Sequence, residues 1–361
     1  MTKQYSIAVI AGDGIGQETI PVGCDVLLAA QEVAGGFELK FDEFPWGTEY
    51  YLDHGRMMPA EALDILAGYD AIYLGAIGFP SLLADHITLW GLLLHIRKQF
   101  RQYINLRPCR LLPGVRSPLR DKTPDDIDFV CVRENSEGEY AGIGGRTHVG
   151  TPHEVAVQTS VFTRVAVERV IRYSFELALK RDKKRKVTNV TKSNACQYSM
   201  VLWDEIFDEV AADYPDVAHE KWHVDAMAAR FVTHPETLDV VVASNLFADI
   251  LSDLGGAIQG SLGLPPSANI NVDGRFPSMF ESVHGSAPDI FGQGIANPIA
   301  TTWSGAMMLD FLGQEKAAAL IEEAIIQTTK SGQILTPDLG GKASTRAVGE
   351  EIRRRVEAAA V

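Results

Sequence analysis

The chain of 361 residues has few cysteines and a deficit of basic residues, and each shortage excludes a class of protein. Its four cysteines, Cys24, Cys109, Cys131 and Cys196, form no CxxC pair and have no histidine at ligand spacing, so neither a disulfide framework nor a zinc site is predicted. We expect four reduced thiols in apolar surroundings. With 33 Lys and Arg against 47 Asp and Glu, the formal net charge is −14, which argues against nucleic acid as a partner.

Long apolar runs are also missing. No stretch approaches the roughly 18 consecutive apolar residues of a membrane-spanning helix. Residues 1–10 have neither the charged start nor the long apolar segment of a secretory signal, so no membrane partner is expected and a cytoplasmic location is predicted. The chain does contain 46% hydrophobic and 22% charged residues, which is typical of a globular protein and excludes disordered, collagen-like and coiled-coil classes.

Short apolar runs alternate with stretches of helical periodicity, which is typical of an α/β protein whose helices flank a largely parallel sheet. The predicted strands cover residues 6–10, 71–74, 128–132, 186–190 and 239–243. The predicted helices cover residues 17–34, 162–179, 197–212 and 314–330. Loops rich in proline and glycine near 107–124 and 261–277 indicate domain boundaries, with a middle domain inserted into a discontinuous outer one.

A glycine-rich turn, GDGIG at 12–16, follows the first predicted strand. It is not the dinucleotide fingerprint of a Rossmann fold, because that fingerprint needs a glycine where Gln17 stands. Such a turn lets a ligand approach backbone N–H groups, although a plain strand-to-helix turn explains the pattern equally well.

Two carboxylates lie on an apolar helix predicted after the last strand. Asp249 and Asp253 are one helical turn apart; Ser244 or Asn245 is the candidate N-cap, and Gly255 the candidate end of the helix. A solvated acidic face is one interpretation of this pair. The helix is otherwise nearly all apolar, however, and buried carboxylates with no Lys or Arg nearby need a cation, which favours a Mg²⁺ or Mn²⁺ site.

Several basic residues stand near the ends of predicted elements. Arg97, Arg107 and Arg133 are placed where a guanidinium can bind a planar anion with two hydrogen bonds, although each alone is more typical of a surface ion pair. Lys192 follows a predicted strand, and a lysine near a divalent cation can act as a base near neutral pH. The basic run at 180–186 is interpreted as cations at a helix C-terminus rather than a nucleic-acid patch.

Six motifs occur together in order along the chain. They are GDGIG at 12–16, NLRP at 105–108, CVREN at 131–135 with EGEYAG at 137–142, TKSN at 191–194, SNLFADILSDLGG at 244–256 and HGSAPDIFGQGIANP at 284–298. This set closely resembles the metal-dependent β-decarboxylating dehydrogenases, which include isopropylmalate, isocitrate and homoisocitrate dehydrogenases, over essentially the whole chain. The segments HITLWGLL, RKQFRQYINLRP and EFPWGTEYY are most similar to the branch of that family that acts on tartrate and D-malate.

The resemblance implies an α/β, isopropylmalate-dehydrogenase-like two-domain fold that is not a Rossmann fold. Residues 1–103 and 257–361 would form a large, discontinuous cofactor-binding domain. Residues 104–256 would form a smaller domain that holds the metal site and the dimer interface. The implied assembly is a homodimer with shared active sites.

The resemblance also implies the ligands of a divalent cation, Mg²⁺ or Mn²⁺. Asp249 and Asp253 match the metal-binding carboxylates of one subunit, and Asp225 matches the one that the family supplies from the other subunit. Asp249 is also counted among the catalytic residues. Activation by a monovalent cation such as K⁺ is implied by the resemblance only.

Substrate binding and proton transfer are implied for five further residues. Arg97, Arg107 and Arg133 match the arginines that hold the substrate carboxylates. Tyr140 matches the catalytic acid and Lys192 the catalytic base, which would also come from the other subunit. The implied substrate is a small dicarboxylate.

The implied cofactor is NAD. Its candidate contacts are Ile15, Trp90, Leu93, His284, Gly285, Ser286, Ala287, Asp289 and Asn297. Asp289 matches the position that receives the adenosine ribose hydroxyls, which favours NAD over NADP because a 2′-phosphate would meet like charge.

Departures from the family pattern bear on the substrate. Isopropylmalate enzymes carry an acidic residue where Trp90 stands and isocitrate enzymes a serine where Leu93 stands. With Trp90, Leu93 and His95 on the pocket side of their helix we expect a C4 2-hydroxy diacid, although packing of Trp90 and Leu93 in the core is the alternative. D-malate would give pyruvate and CO₂, and tartrate would give oxaloglycolate or glycerate.

Two alternative functions stay open at this point. The first is a 3-isopropylmalate dehydrogenase of leucine biosynthesis. The second is a non-catalytic regulatory subunit, which is disfavoured because Tyr140, Lys192 and the three aspartates are all present.

Overall fold

A mixed β-sheet forms the centre of the protein. The structure is a computed structural model that describes residues 2–359. Within these residues the strands are β1 Lys3–Gly12, β2 Phe37–Glu43, β3 Ala71–Ala76, β4 Ile104–Arg110, β5 Asp128–Glu134, β6 Gly138–Thr147, β7 Val155–Val161, β8 Lys186–Thr191, β9 Ala218–His223, β10 Val240–Ala243, β11 Pro266–Ile270 and β12 Ser278–Ser282.

Helices cover both faces of this sheet. They are α1 Gly16–Ala34, α2 Thr48–His54, α3 Ala62–Leu66, α4 Asp85–Thr88, α5 Leu94–Gln99, α6 Arg164–Arg181, α7 Ser199–Ala211, α8 Val224–Thr233, α9 Asn245–Ile258, α10 Ile299–Phe311, α11 Glu315–Ser331 and α12 Thr345–Ala358. A π-helical turn, Leu89–Leu93, joins α4 to α5, and short 3₁₀ turns lie at Pro235–Thr237 and Pro337–Leu339. All nine predicted strands and helices are confirmed, with ends that differ by at most three residues.

Ten strands form one sheet in the order β2-β1-β3-β12-β11-β4-β5-β10-β8-β9. The pairings at both sides are parallel, whereas β11 is antiparallel to β12 and to β4, and β4 is antiparallel to β5. A doubly wound Rossmann sheet is largely parallel and has a different strand order. The predicted α/β class, outside the Rossmann fold, is confirmed.

Continuous apolar runs make the central strands. Every residue of β3 and β10 is buried, as expected for strands covered on both faces. One hydrophobic cluster draws only on residues 109–258, and a second on residues 8–100 together with Met279. The second cluster lies within the predicted large domain, and the first lies within the predicted smaller domain except for Ile258. The largest cluster and the β4–β11 pairing cross the division, which therefore stays a prediction.

Two expectations about local structure were wrong. Gly255 does not end α9, because the helix continues to Ile258. The glycine instead permits close packing, since a Cβ at this position would lie 2.3 Å from Sγ of Cys109 on β4. The second error is Cys196, which is exposed, whereas Cys109 and Cys131 are buried.

The basic run lies at the end of α6, as predicted, and its side chains are paired. Arg181 contacts Asp128 and Asp239, each at 3.0 Å, and Lys186 contacts Glu220 at 2.7 Å. These cations therefore neutralise acidic side chains of β5 and β9 and the one that precedes β10. No helix among residues 2–359 is long and apolar enough to cross a membrane.

Strands β6 and β7 form a separate two-stranded arm. Most of its side chains are exposed, including the apolar Ile143, Val155 and Val157. Tyr140 lies at the start of this arm, close to the main sheet. The arm therefore exposes apolar side chains.

Candidate active site

Two neighbouring cavities share a wall at the end of β12. The smaller has a volume of about 180 Å³ and the larger about 660 Å³. Val283, His284 and Gly285 line both. Most of the residues singled out in the sequence meet at this junction.

Three arginines line the smaller cavity. Arg97 comes from α5, Arg107 from β4 and Arg133 from β5, and all three are buried. Pairing of β4 with β5 places Arg107 opposite Cys131 and Asn105 opposite Arg133, so the two guanidinium groups come from adjacent strands. Neighbouring cations in a confined space form a site for an anion.

Hydrogen bonds fix the orientation of two of these guanidinium groups. Nε and Nη2 of Arg133 donate to Oδ1 of Asn245 at 3.0 and 2.8 Å. Arg107 donates to Asn105 and to Ser252, both at 2.7 Å. Burial first, and then repulsion from Arg107, lowers the pKa of Arg133. Bound carboxylates would relieve this repulsion.

Glu281 on β12 is a residue that sequence reasoning missed. Its Oε1 accepts hydrogen bonds from Arg97 Nη2 at 2.6 Å and from Asn269 Nδ2 at 2.7 Å. Among the described residues, Nε of Arg97 is buried and has no acceptor. The available signal was an acidic residue directly after Met279 and Phe280, because a carboxylate that follows buried apolar residues needs a buried partner.

Asp249 on α9 faces the arginines. It accepts hydrogen bonds from Arg107 at 3.1 Å, from Arg133, and from the Tyr140 hydroxyl at 2.9 Å. The expectation that no Arg would lie near the acidic pair was therefore wrong. Burial alone would raise the pKa of Asp249, but the charges of Arg133 and Arg107 outweigh burial and hold the pKa below its usual value.

Tyr140 contributes a phenol to the same cavity. Its ring centroid lies 5.4 Å from Cζ of Arg133, and its hydroxyl donates to Asp249. Burial, followed by the negative charge of Asp249, raises its pKa. The phenol is therefore protonated at neutral pH and available as an acid.

Asp253 lies one turn further along α9 and lines the larger cavity. Desolvation, and to a smaller extent the Asp249 carboxylate, raises its pKa despite the opposing effect of Arg107. The Asp249–Asp253 pair provides oxygen ligands of the type that Mg²⁺ and Mn²⁺ prefer. A bound cation would offset the negative charge of Asp249 and so stabilise the ionised form of Asp253.

Lys192 and Asp225 lie apart from these residues within one chain. Nζ of Lys192 donates to Oδ1 of Asp225 at 2.7 Å, and neither residue lines the two cavities. The Asp225 side chain is 70% exposed. Within residues 2–359, no group of three His, Cys, Asp or Glu side chains converges as a metal site.

The larger cavity contains five of the predicted cofactor contacts: Ile15, His284, Gly285, Ala287 and Asn297. Leu93 lines the smaller cavity, and Asp289 is exposed on the loop. Ser286 is buried, and its hydroxyl donates to the Gly78 carbonyl. Asp338, which sequence reasoning missed, lines the cleft and accepts hydrogen bonds from Asn297 at 3.0 Å and Ser261 at 2.5 Å.

The loop after β12 is attached to the glycine-rich turn. The Ile15 amide donates to the Ser286 carbonyl at 2.9 Å, and the Gly292 amide donates to the Glu18 carboxylate at 2.6 Å. Ala287 adopts φ of +41°, a left-handed conformation that is uncommon outside glycine. The turn at 12–16 therefore shapes the cleft as well as joining β1 to α1.

His284 stands at the junction of both cavities. Its Nδ1 lies 2.9 Å from the Gly285 carbonyl oxygen, which assigns the proton to Nδ1. Its Nε2 is buried and, among the described residues, has no partner. Burial lowers the pKa of His284, so Nε2 is an unprotonated acceptor at neutral pH that suits a donor group of a ligand in the cleft.

Trp90 and His95 do not line the substrate cavity. His95 is exposed, and Trp90 is 40% exposed and packs over Gly142 of β6. Leu89, Leu93 and Leu94 line that wall instead, and Leu89–Leu93 form the π-helical turn. The predicted helix face was therefore wrong for Trp90 and His95, and packing of Trp90 in the core was also wrong.

Comparison with known proteins agrees with this geometry. The sequence model of the isocitrate/isopropylmalate dehydrogenase family matches residues 6–352, and the chain belongs to that family. The expected class of enzyme, a decarboxylating dehydrogenase, is confirmed.

Individual relatives cover nearly the whole chain. A probable tartrate dehydrogenase/decarboxylase of Agrobacterium vitis is 55% identical over 97% of this chain and 95% of its own length. The D-malate dehydrogenase (decarboxylating) of Escherichia coli is 53% identical over 98% of both chains. The crystal structure of isocitrate dehydrogenase from Methylococcus capsulatus has a TM-score of 0.88 at 35% identity and covers 98% of this chain and 99% of its own.

Proposed function

We propose that the protein oxidises and decarboxylates C4 2-hydroxy diacids, D-malate and tartrate, with NAD and a divalent cation. The observation that carries this proposal is the small cavity of about 180 Å³, in which three buried arginines, Tyr140 and Asp249 meet next to a dinucleotide-sized cleft. The names of the similar tartrate and D-malate enzymes support the same substrates.

The arginines bind the two carboxylates of the substrate. Arg107 and Arg133 both donate to Asp249. Nε of Arg97 has no acceptor among the described residues, so a donor is available for an incoming dianion. Charge-assisted hydrogen bonds from fixed guanidinium groups orient a small diacid. The net charge of −14 does not attract such a substrate, so this local cluster must.

The metal ligands are Asp249 and Asp253 of one chain and Asp225 of a second copy. When bound, the divalent cation supplies a Lewis acid at the substrate oxygens, and NAD supplies the hydride acceptor. Asp225 forms an exposed pair with Lys192, away from its own cavities. This placement supports delivery of both residues to a neighbouring chain in a homodimer, as do the exposed apolar residues of the β6–β7 arm.

Proton transfer falls to two residues. Lys192 of the second copy accepts the proton of the C2 hydroxyl as the hydride leaves C2. After loss of CO₂, Tyr140 donates a proton to C3, for which its raised pKa keeps it in the acid form. With D-malate the products are pyruvate, CO₂ and NADH, and the proton removed equals the proton returned.

The cofactor cleft suits NAD. Its wall presents the exposed Gly285 backbone and Nε2 of His284, which has no partner within residues 2–359. The exposed carboxylate of Asp289 supports NAD over NADP, since it would repel a 2′-phosphate. Activation by K⁺ stays a prediction.

The alternative substrate is 3-isopropylmalate, which the apolar wall of Leu89, Leu93 and Leu94 favours. The test compares rates of NADH formation with D-malate, the tartrate isomers and 3-isopropylmalate in the presence of Mn²⁺. We expect D-malate or a tartrate to give the highest kcat/KM. A preference for 3-isopropylmalate would overturn the proposed substrate class, and no turnover of any of them would overturn the proposed function.

A further inference from the structure

Three residues outside the cavities meet beside Tyr140. Nζ of Lys98 donates to the carbonyl of Ala141 at 2.7 Å and lies 4.7 Å from the ring centroid of Trp90. Trp90 in turn covers Gly142, where a Cβ would lie 2.6 Å from Cη2 of the indole. Lys98, Trp90 and Gly142 are called the Tyr140 clamp below.

The clamp requires glycine at position 142. Gly142 has φ of +77°, which disfavours any other residue, and its missing side chain leaves the space that Trp90 fills. A Cβ there would also lie 3.4 Å from Nζ of Lys98. This packing explains why Trp90 points towards the arm rather than into the substrate cavity.

The positive charge of Lys98 stabilises its contacts with Ala141 and Trp90. Burial lowers its pKa and Glu134 opposes that effect, so the ammonium group sits in a partly desolvated position. There it makes a charge-assisted hydrogen bond to a backbone carbonyl and a cation–π contact, both of which strengthen when water is excluded.

The clamp joins two parts of the active site. Arg97 and Lys98 are consecutive on α5: the arginine lines the substrate cavity, whereas the lysine reaches the backbone next to Tyr140. The position of Tyr140 relative to Arg97 therefore depends on this turn of α5. Lys98 does not line the cavity, so it acts through Tyr140.

We propose that Lys98, with Trp90 seated on Gly142, is a positioning residue that holds the strand of Tyr140 for proton donation. The proposal rests on the proposed function, because it takes Tyr140 to be the acid. It predicts that loss of the clamp slows the proton-transfer step while substrate and cofactor still bind.

The test is a comparison of isotope effects on kcat with D-malate, NAD and Mg²⁺. The substrate carries protium or deuterium at C2, in H₂O or D₂O. For Lys98→Met we expect kcat to fall by about 10-fold or more, because a placed general acid contributes 10²- to 10⁴-fold. The solvent isotope effect should rise, the C2 isotope effect should fall towards one, and KM should change by less than about threefold. Lys98→Arg should recover most of kcat.

A second pair of variants separates positioning from backbone strain. Gly142→Ala should reproduce the isotope signature of Lys98→Met. Gly313→Ala is the matched control, because Gly313 has φ of +78° and a Cβ there meets nothing within 4 Å. Its isotope effects should equal those of the wild type.

The outcomes are distinguishable. Wild-type protein that forms no NADH from D-malate overturns the proposed function and this inference with it. Active wild type, together with unchanged isotope effects in both Lys98→Met and Gly142→Ala, overturns the clamp alone. The clamp is also overturned if Gly313→Ala shifts the isotope effects as much as Gly142→Ala does.

Discussion

Nη2 of Arg97 lies 2.6 Å from Oε1 of Glu281, and both side chains are almost completely buried. Both residues line the small cavity, so the carboxylate of Glu281 compensates the charge of Arg97 within the cavity wall. The pair therefore contributes to the fold and, in the proposed function, to anion binding. Its two roles can be separated by experiment.

Glu281→Gln should leave the Arg97 charge buried and uncompensated. We expect a loss of about 3–5 kcal/mol in the free energy of unfolding, measured by urea denaturation. The control is Glu350→Gln, which breaks an exposed pair with Arg346 whose side chains are 59% and 85% accessible. The control should change stability by less than about 0.5 kcal/mol. Equal effects of the two substitutions would contradict the role of burial.

Asp253→Asn tests the proposed metal site. We expect Mn²⁺ binding, followed by electron paramagnetic resonance titration, to weaken by about 10-fold or more. Because the raised pKa of Asp253 means that the fold disfavours its charge, the metal-free variant should be at least as resistant to heat as the wild type. Asp216→Asn removes the same charge from an exposed loop and should leave Mn²⁺ affinity unchanged.

Complementation between inactive variants tests the shared site. Lys192→Met and Asp249→Asn should each abolish activity, since each damages both sites of its homodimer. Subunits exchanged at equal ratio should regain about a quarter of wild-type activity, because half the dimers are mixed and each has one intact site. Activity that never returns, despite mixed dimers seen by native mass spectrometry, would argue that each chain supplies its own base.

His284 should make stability depend on pH. Burial lowers its pKa, so the unfolded chain binds the proton more readily and the fold loses stability as pH falls below the unfolded value of about 6.5. Between pH 7.5 and 5.5, the wild type should lose more free energy of unfolding than His284→Gln does. Parallel pH profiles for the two proteins would contradict a neutral His284.

Gly255→Ala tests the close contact between α9 and β4. A Cβ there would meet Sγ of Cys109 at 2.3 Å, and such overpacking costs about 1–3 kcal/mol of unfolding free energy. Adding Cys109→Ala should restore part of this loss, so that the double variant is more stable than the sum of single effects predicts. Gly68→Ala, whose Cβ would be 3.5 Å from the nearest atom, should be close to neutral.

The sequence predicted the elements of the fold where hydrophobic pattern decides them. Strand β10 is four consecutive buried residues, and its boundary differs by one residue from the prediction. The antiparallel β4–β11 pair was not predicted, because strand order depends on contacts distant in sequence. The prediction that Gly255 ends α9 failed because a glycine near a helix end can instead leave space for a neighbouring side chain, here that of Cys109.

For the candidate site, the sequence motifs predicted which residues take part, and the structure showed which of them contact each other. Arg107 and Arg133 were expected to bind an anion, but their shared contact with Asp249 follows only from the register of β4 on β5. Glu281 was overlooked because no motif contains it. Trp90 was assigned to the pocket side from its match to a family position, whereas in the structure its indole packs over Gly142 of β6.

Three consecutive residues, Val283 to Gly285, separate the substrate cavity from the cofactor cleft. Any displacement of this segment changes the shape of both compartments at once. A substitution at these positions is therefore expected to change the affinity for the acid and the affinity for the dinucleotide together. Variants that accept a larger acid are therefore better sought at Leu89, Leu93 and Leu94, which line the substrate cavity but not the cofactor cleft.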